Sequence, residues 1–225
     1  MKRRIIVVLA LALGGGAFGQ NSVTANNKTG FQWDWRAAKG LDDGERIGNS
    51  KHLSLAERNA LTGAIAARLR PSMSENEITS ERQLYRVAAR TRIAVRDLNG
   101  DGIPEILAQA GDWHACGATG NCLFWVLQKT EKGYRPLLDT HGGIEVMTIG
   151  LSRTNGFFDI AVGTSESGTG RDVFLYRYSD GRYRLRSCYN VDWWSWHDGL
   201  PAPKEGTIHK LKKPAVTQVA CIPDY

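Results

Sequence analysis

Residues 97–105 read Asp97-Leu98-Asn99-Gly100-Asp101-Gly102-Ile103-Pro104-Glu105. Asp97, Asn99 and Asp101 place oxygen donors at alternate positions, and Glu105 adds another acid just beyond. Hard cations such as Ca²⁺ take about six to eight oxygens at about 2.3–2.6 Å. A backbone wound tightly about one point can supply them from every second residue. Gly102 is the sixth residue of this loop, where the chain must turn sharply and a Cβ would be costly. The carbonyl of Ile103 then faces the ion. Three acids packed this closely repel one another unless a cation offsets them. The chemistry expected of the loop is calcium binding.

An EF-hand is excluded, because it needs a bidentate Glu at the twelfth loop position, and Ala108 stands there. The last acid comes earlier, directly before the apolar run Ile106-Leu107-Ala108. Upstream, residues 92–97 alternate polar and apolar. The loop therefore joins two strands rather than two helices. The pattern resembles the FG-GAP repeats of integrin α chains and the VCBS-type repeats of bacterial secreted proteins. Loops of the form D-x-[DN]-x-[DN]-G-x-x-[DE] bind calcium between strands there. The resemblance implies Asp97, Asn99, Asp101, Glu105 and the Ile103 carbonyl as ligands, and calcium as the cofactor.

Elements must position this loop, and the ends of the chain say where they work. Lys2-Arg3-Arg4, an apolar run over residues 5–13 and the small residues of Ala17-Phe18-Gly19 read as a secretory signal over 1–19. The run is too short to span a bilayer comfortably. The expected destination is periplasmic or secreted, with no membrane span in the mature chain. Losing Lys2, Arg3 and Arg4 leaves 26 basic against 23 acidic residues, which gives no support to a nucleic-acid partner. The basic cluster at Lys210, Lys212 and Lys213 reads as a solvated tail.

Four cysteines in an exported chain suggest two disulfides. Cys116 and Cys122 bracket a short glycine-bearing ring, and Cys188 and Cys221 remain to pin the C-terminal tail. Zinc is disfavoured, because no C-x-x-C pair is present.

Residues 20–50 read as a flexible leader, and 51–225 as a single β-rich domain. Ser54-Leu-Ala-Glu57 is a capping box, and Leu55, Leu61, Ile65 and Leu69 follow at roughly helical spacing up to Pro71. An amphipathic helix over about 54–70 is expected to cover a sheet. For residues 80–90 the apolar spacing does not decide between helix and strand. Strands are expected at 93–96, 105–109, 123–129, 134–138, 145–149, 158–163, 173–178 and 183–189. Turns are expected at Asn99-Gly100, Gly142-Gly143, Asn155-Gly156 and Asp180-Gly181. The fold class is mainly β (α+β), an antiparallel sheet with one N-terminal helix.

A degenerate repeat runs beneath these elements. Shifted by 54 residues, Gly156, Asp159 and Ile160 fall on Gly102, Glu105 and Ile106. Shifted by 49, Phe174, Leu175 and Tyr183 fall on Trp125, Val126 and Tyr134. Two units of strand, loop, strand and hairpin, about 91–140 and 145–190, are the simplest account. Leu151 and Arg153 replace Asp97 and Asn99 in the second unit. Arg153 brings a positive charge to the cation's place, so the second loop is expected to be metal-free. Two copies are too few for a closed propeller.

Catalytic signals are thin. Asp112 with His114, and His197 with Asp198, are pairs that could orient a base, but no nucleophile motif accompanies them. No catalytic residue is assigned. Two features could grip a protein or glycan of the cell envelope. One is the polar loop carrying Ser165, Ser167 and Gly168, which slightly resembles the cleft-entering loops of periplasmic lysozyme inhibitors. The other is the aromatic cluster Trp193, Trp194 and Trp196. The expected function is that of a calcium-binding binding or structural protein. An inhibitor or carbohydrate-binding protein is the alternative, and a secreted hydrolase comes third.

Overall fold

The computed structural model describes residues 45–165, 170–199 and 204–221. Its strands are β1 (Glu45–Arg46), β2 (Arg92–Arg96), β3 (Glu105–Gln109), β4 (Cys122–Thr130), β5 (Gly133–Thr154), β6 (Phe157–Ser165), β7 (Gly170–Ser179), β8 (Arg182–Gly199) and β9 (Lys204–Val219). Each pairs antiparallel with the next. The protein is mainly β, as expected, and it forms two sheets that share a strand. Residues 133–142 of β5 pair with β4, and its later part pairs with β6.

Two helices precede β2. In α1 (Leu55–Leu69) the expected capping box is complete. Ser54 Oγ accepts from the Glu57 amide at 3.2 Å, and the Glu57 carboxylate accepts from the Ser54 amide at 3.0 Å. The expectation of a single helix is corrected by α2 (Glu81–Ala89). Ser80 caps it, and Leu84, Val87 and Ala88 bury one stripe at helical spacing. Nine residues are too few for periodicity alone to separate helix from strand.

The first sheet lies between two apolar layers. On one face Leu61, Ile65 and Leu69 of α1, and Leu84 and Val87 of α2, pack with Ile93, Ile106, Trp125 and Leu127. On the other, Leu107, Phe124, Val126 and Leu137 meet Ile160, Val162, Tyr176 and Tyr183 of the second sheet. All five residues of β3 are buried in consequence, which is why Ile106, Leu107 and Ala108 run apolar without alternation between Glu105 and Gln109.

Three expectations change. Gly142-Gly143 is not a turn, and β5 runs through it for 22 residues. A Cβ on Gly142 would lie 2.3 Å from Val162 Cγ1 and 3.0 Å from the Gly163 carbonyl. The glycine serves a close approach to β6 rather than a reversal. The basic cluster around Lys210 is not part of an irregular tail, because its backbone belongs to β9 and pairs with β8. The end of the leader is ordered as well. β1 pairs with β2, and Ile47 is fully buried. The hairpin turns at Asn155-Gly156 and Asp180-Gly181 do occur, each with two consecutive left-handed residues.

Both expected disulfides form, Cys116–Cys122 and Cys188–Cys221. The proposed signal segment lies outside the described residues. Among those residues no helix is long and apolar enough to cross a membrane.

Two glycines test this packing in opposite directions. A Cβ on Gly111 would sit 2.3 Å from the Arg90 carbonyl at the end of α2, whereas Gly63 within α1 has open space around it. Urea titration should show Gly111→Ala losing about 1–3 kcal/mol. It should show Gly63→Ala gaining up to about 1 kcal/mol.

Candidate functional site

The loop between β2 and β3 is wound by two left-handed glycines, Gly100 at φ +81° and Gly102 at φ +82°. The winding brings backbone amides onto its acids. Asp97 Oδ1 accepts from the Gly100 amide at 2.6 Å and Oδ2 from the Gly102 amide at 3.0 Å. These amides, Gly100 foremost, hold the Asp97 carboxyl below its ordinary value. Asn99 Oδ1 accepts from the Asp101 amide at 2.9 Å, and its Nδ2 donates to Asp101 Oδ2 at 2.8 Å. Asp101 Oδ1 accepts from the Ile103 amide at 2.7 Å. Ile103 itself is exposed, while Leu98 plugs the loop into the core between the sheets.

Glu105 opens β3 and is fully buried. Its Oε2 accepts from the Leu98 amide at 2.9 Å and its Oε1 from the Gln128 side-chain amide at 3.2 Å. Burial pushes its carboxyl up, and the charge of Asp101 adds to that, against the two hydrogen bonds. Gln128 is held in turn by Arg135, whose Nε and Nη2 donate to its Oε1 at 3.0 and 2.6 Å. No cation touches Glu105 among the described residues.

The turn between β5 and β6 answers this loop with different chemistry. Asp159 on β6 is also buried, at 1% exposure. It accepts from Ser152 Oγ at 3.1 Å and Thr154 Oγ1 at 2.7 Å, and Arg177 Nε stands 3.3 Å away. This acid has a cation. Arg153 reaches back to the first loop, where Nη1 donates to the Asn99 carbonyl at 2.8 Å and to that of Gly156 at 3.2 Å. Its guanidinium lies 4.0 Å from the centre of the Phe158 ring. The Phe158 amide donates to the Leu98 carbonyl at 2.8 Å. Tyr183 Oη closes the junction on the Phe158 carbonyl at 2.8 Å. Burial, then the charges of Glu105 and Asp159, push its phenol well above the ordinary range.

By donor type the loop suits a hard cation. Its acids do not yet share a point, and no three Asp, Glu, His or Cys side chains converge on one among the described residues. Asp97 and Asp101 instead face amides of their own loop.

The other sequence candidates fall elsewhere. His114 Nδ1 contacts Asp112 Oδ1, and its Nε2 lies 3.0 Å from Gln83 Nε2. Arg90 donates to Asp112 Oδ2 at 2.7 Å. Burial raises the Asp112 carboxyl, but His114 and Arg90 together leave it below its ordinary value. Both ring nitrogens are engaged, so this cluster ties α2 to the segment before the Cys116–Cys122 ring. Trp113 stacks on the His114 ring with centroids 3.8 Å apart. Ser167 and Gly168 lie outside the described residues. Ser165 ends β6, and Trp193, Trp194 and Trp196 lie in β8, with only their backbone described.

Sequence reasoning missed Gln128, Arg177 and the reach of Arg153 to Asn99. The first two had a signal, since the 49-residue offset places Arg177 on Gln128. No family model, curated protein or solved structure matches the chain.

The buried acid on β6 should depend on its arginine. Arg177→Leu should lower stability by about 1–3 kcal/mol, because buried Asp159 loses its only cationic neighbour among the described residues. Urea denaturation at neutral pH measures it, and Arg177→Lys should recover part of the loss.

Proposed function

We propose that this chain is an exported, β-rich, calcium-binding protein with a binding or structural role, of the kind its FG-GAP-like loop implies. In this reading Asp97, Asn99, Asp101, Glu105 and the Ile103 carbonyl take one Ca²⁺. Two degenerate units, about 91–140 and 145–190, carry the loop and its metal-free counterpart.

The contrast between the two buried acids carries the reading. Asp159 has Arg177 beside it, whereas Glu105 has Gln128 in the corresponding place and only neutral donors. Burying a carboxylate without a cation is costly. The unit that lacks the arginine is the unit with Asp97, Asn99 and Asp101. A cation there would offset Glu105 and relieve its repulsion with Asp101. To bind, Asp101 and Glu105 would turn toward a common point, while the left-handed glycines already supply the curl. The two disulfides accord with export, since such bonds persist in oxidising compartments.

Calcium then acts on stability rather than on chemistry. A lone extracellular loop binds at about 10⁻⁴–10⁻³ M. At tenfold excess over Kd the gain is about 1.4 kcal/mol, or roughly 3–5 °C in Tm for a domain of this size. Magnesium should give less, because it prefers a smaller octahedral shell. Calorimetry on the mature protein should show one site, lost in Asp97→Ala plus Asp101→Ala. Binding heat that survives the double variant would sink the assignment. Gln128→Arg should supply Glu105 with the cation that Asp159 has. That variant should melt higher without metal and show a smaller calcium shift.

A further inference from the structure

A groove of about 450 Å³ opens between the two sheets. Residues 136–139 of β5 form one wall, residues 182–185 of β8 form the other, and Tyr176 contributes from β7. Consecutive residues of a strand point to opposite faces. A wall made of four consecutive residues is therefore a strand edge rather than one face of a strand. The pairing register agrees. Residues 133–142 of β5 pair with β4 alone, and residues 182–187 of β8 pair with β7 alone. β9 joins β8 only from Cys188 onward. Among the described residues both edges leave backbone donors and acceptors without a strand partner.

The groove has a charge preference. Arg182 and Arg184 line it, and neither carries an ion pair among the described residues. Arg135 comes within 3.8 Å of where a Cβ on Gly181 would sit, which places a third guanidinium at its end. The acid in the lining, Asp139, is engaged by Arg68 at 2.9 Å. Leu137, Leu138 and Leu185 give the remaining lining an apolar character.

We propose that the edge of β8 over residues 182–187, which has no strand partner on that side among the described residues, accepts an extended, acidic segment of a partner protein. The segment adds a strand in line with β9. Its backbone amides and carbonyls satisfy the edge, its acidic side chains meet Arg182 and Arg184, and its apolar side chains meet the half-buried Leu185. The inference is independent of calcium and holds whether or not the 97–105 loop takes a metal.

Fluorescence anisotropy of the mature protein with a labelled peptide tests this. The probe is acetyl-Glu-Val-Glu-Val-Glu-Val-amide. Its controls are the same peptide with Lys for Glu, and one N-methylated at alternate residues to block an edge. The acidic peptide should bind, and both controls should bind about tenfold or more weakly. Salt raised from about 50 to about 500 mM should weaken the acidic peptide. Arg182→Glu plus Arg184→Glu should reverse the preference toward the lysine peptide, a gain that loss of folding cannot mimic. Far-ultraviolet circular dichroism confirms that the variant folds. Failure of the acidic peptide to bind would mean that the arginines only shield the edge, and the proposal falls. Equal binding of the N-methylated peptide, or tighter binding of polygalacturonate than of any peptide, would also overturn strand addition.

Discussion

A strand that serves two sheets sets the terms for everything else. β5 leaves the first sheet and enters the second without a turn, so neither sheet can settle independently of the other. At its far end it delivers Arg153, and the turn that follows brings Phe158 of β6, to the loop between β2 and β3. The contact between the two loops follows from that continuity. So does the burial of the first sheet on both faces, with helices on one side and the second sheet on the other.

Burial on both faces makes any charge inside the layer expensive. Two acids are nevertheless buried where the sheets meet, Glu105 on β3 and Asp159 on β6. Asp159 is answered by two hydroxyls and a guanidinium. Glu105 is answered by amides, one of them oriented by Arg135 through Gln128. Tyr183 feels the charge of both acids. The junction is thus electrostatic as well as apolar, and a change of charge at one loop reaches the other through few atoms.

Much of this was legible in the sequence where the signal is local. Ser54 and Glu57 announce α1, Asn155-Gly156 and Asp180-Gly181 announce two hairpins, and cysteine spacing announces the small ring. Other features depend on distant partners. Gly142 looks like a turn residue until Val162 is known to lie against it. β9 reads as a charged tail because its lysines show charge and not the neighbouring strand. The acids of the 97–105 loop were visible by type and spacing. The arrangement that distinguishes Glu105 from Asp159 rests on Gln128 and Arg177, which sit on other strands. Only the 49-residue offset links those two positions, and because one holds Gln and the other Arg it shows the equivalence of place but not the difference in charge.

The pairing order has a kinetic consequence. Every strand bonds to its immediate predecessor, from β1 to β9. Apart from the β1–β2 step, which spans the two helices, consecutive strands are joined by short connections or the small disulfide ring. Nearest-neighbour pairing keeps contact order low for so β-rich a chain, and low contact order speeds folding. A chain emerging from its N-terminus can therefore zip up strand by strand as it appears. The exception is Cys188–Cys221, which spans 33 residues and closes only after β9 has docked. Oxidation of that pair marks the completion of folding rather than its start.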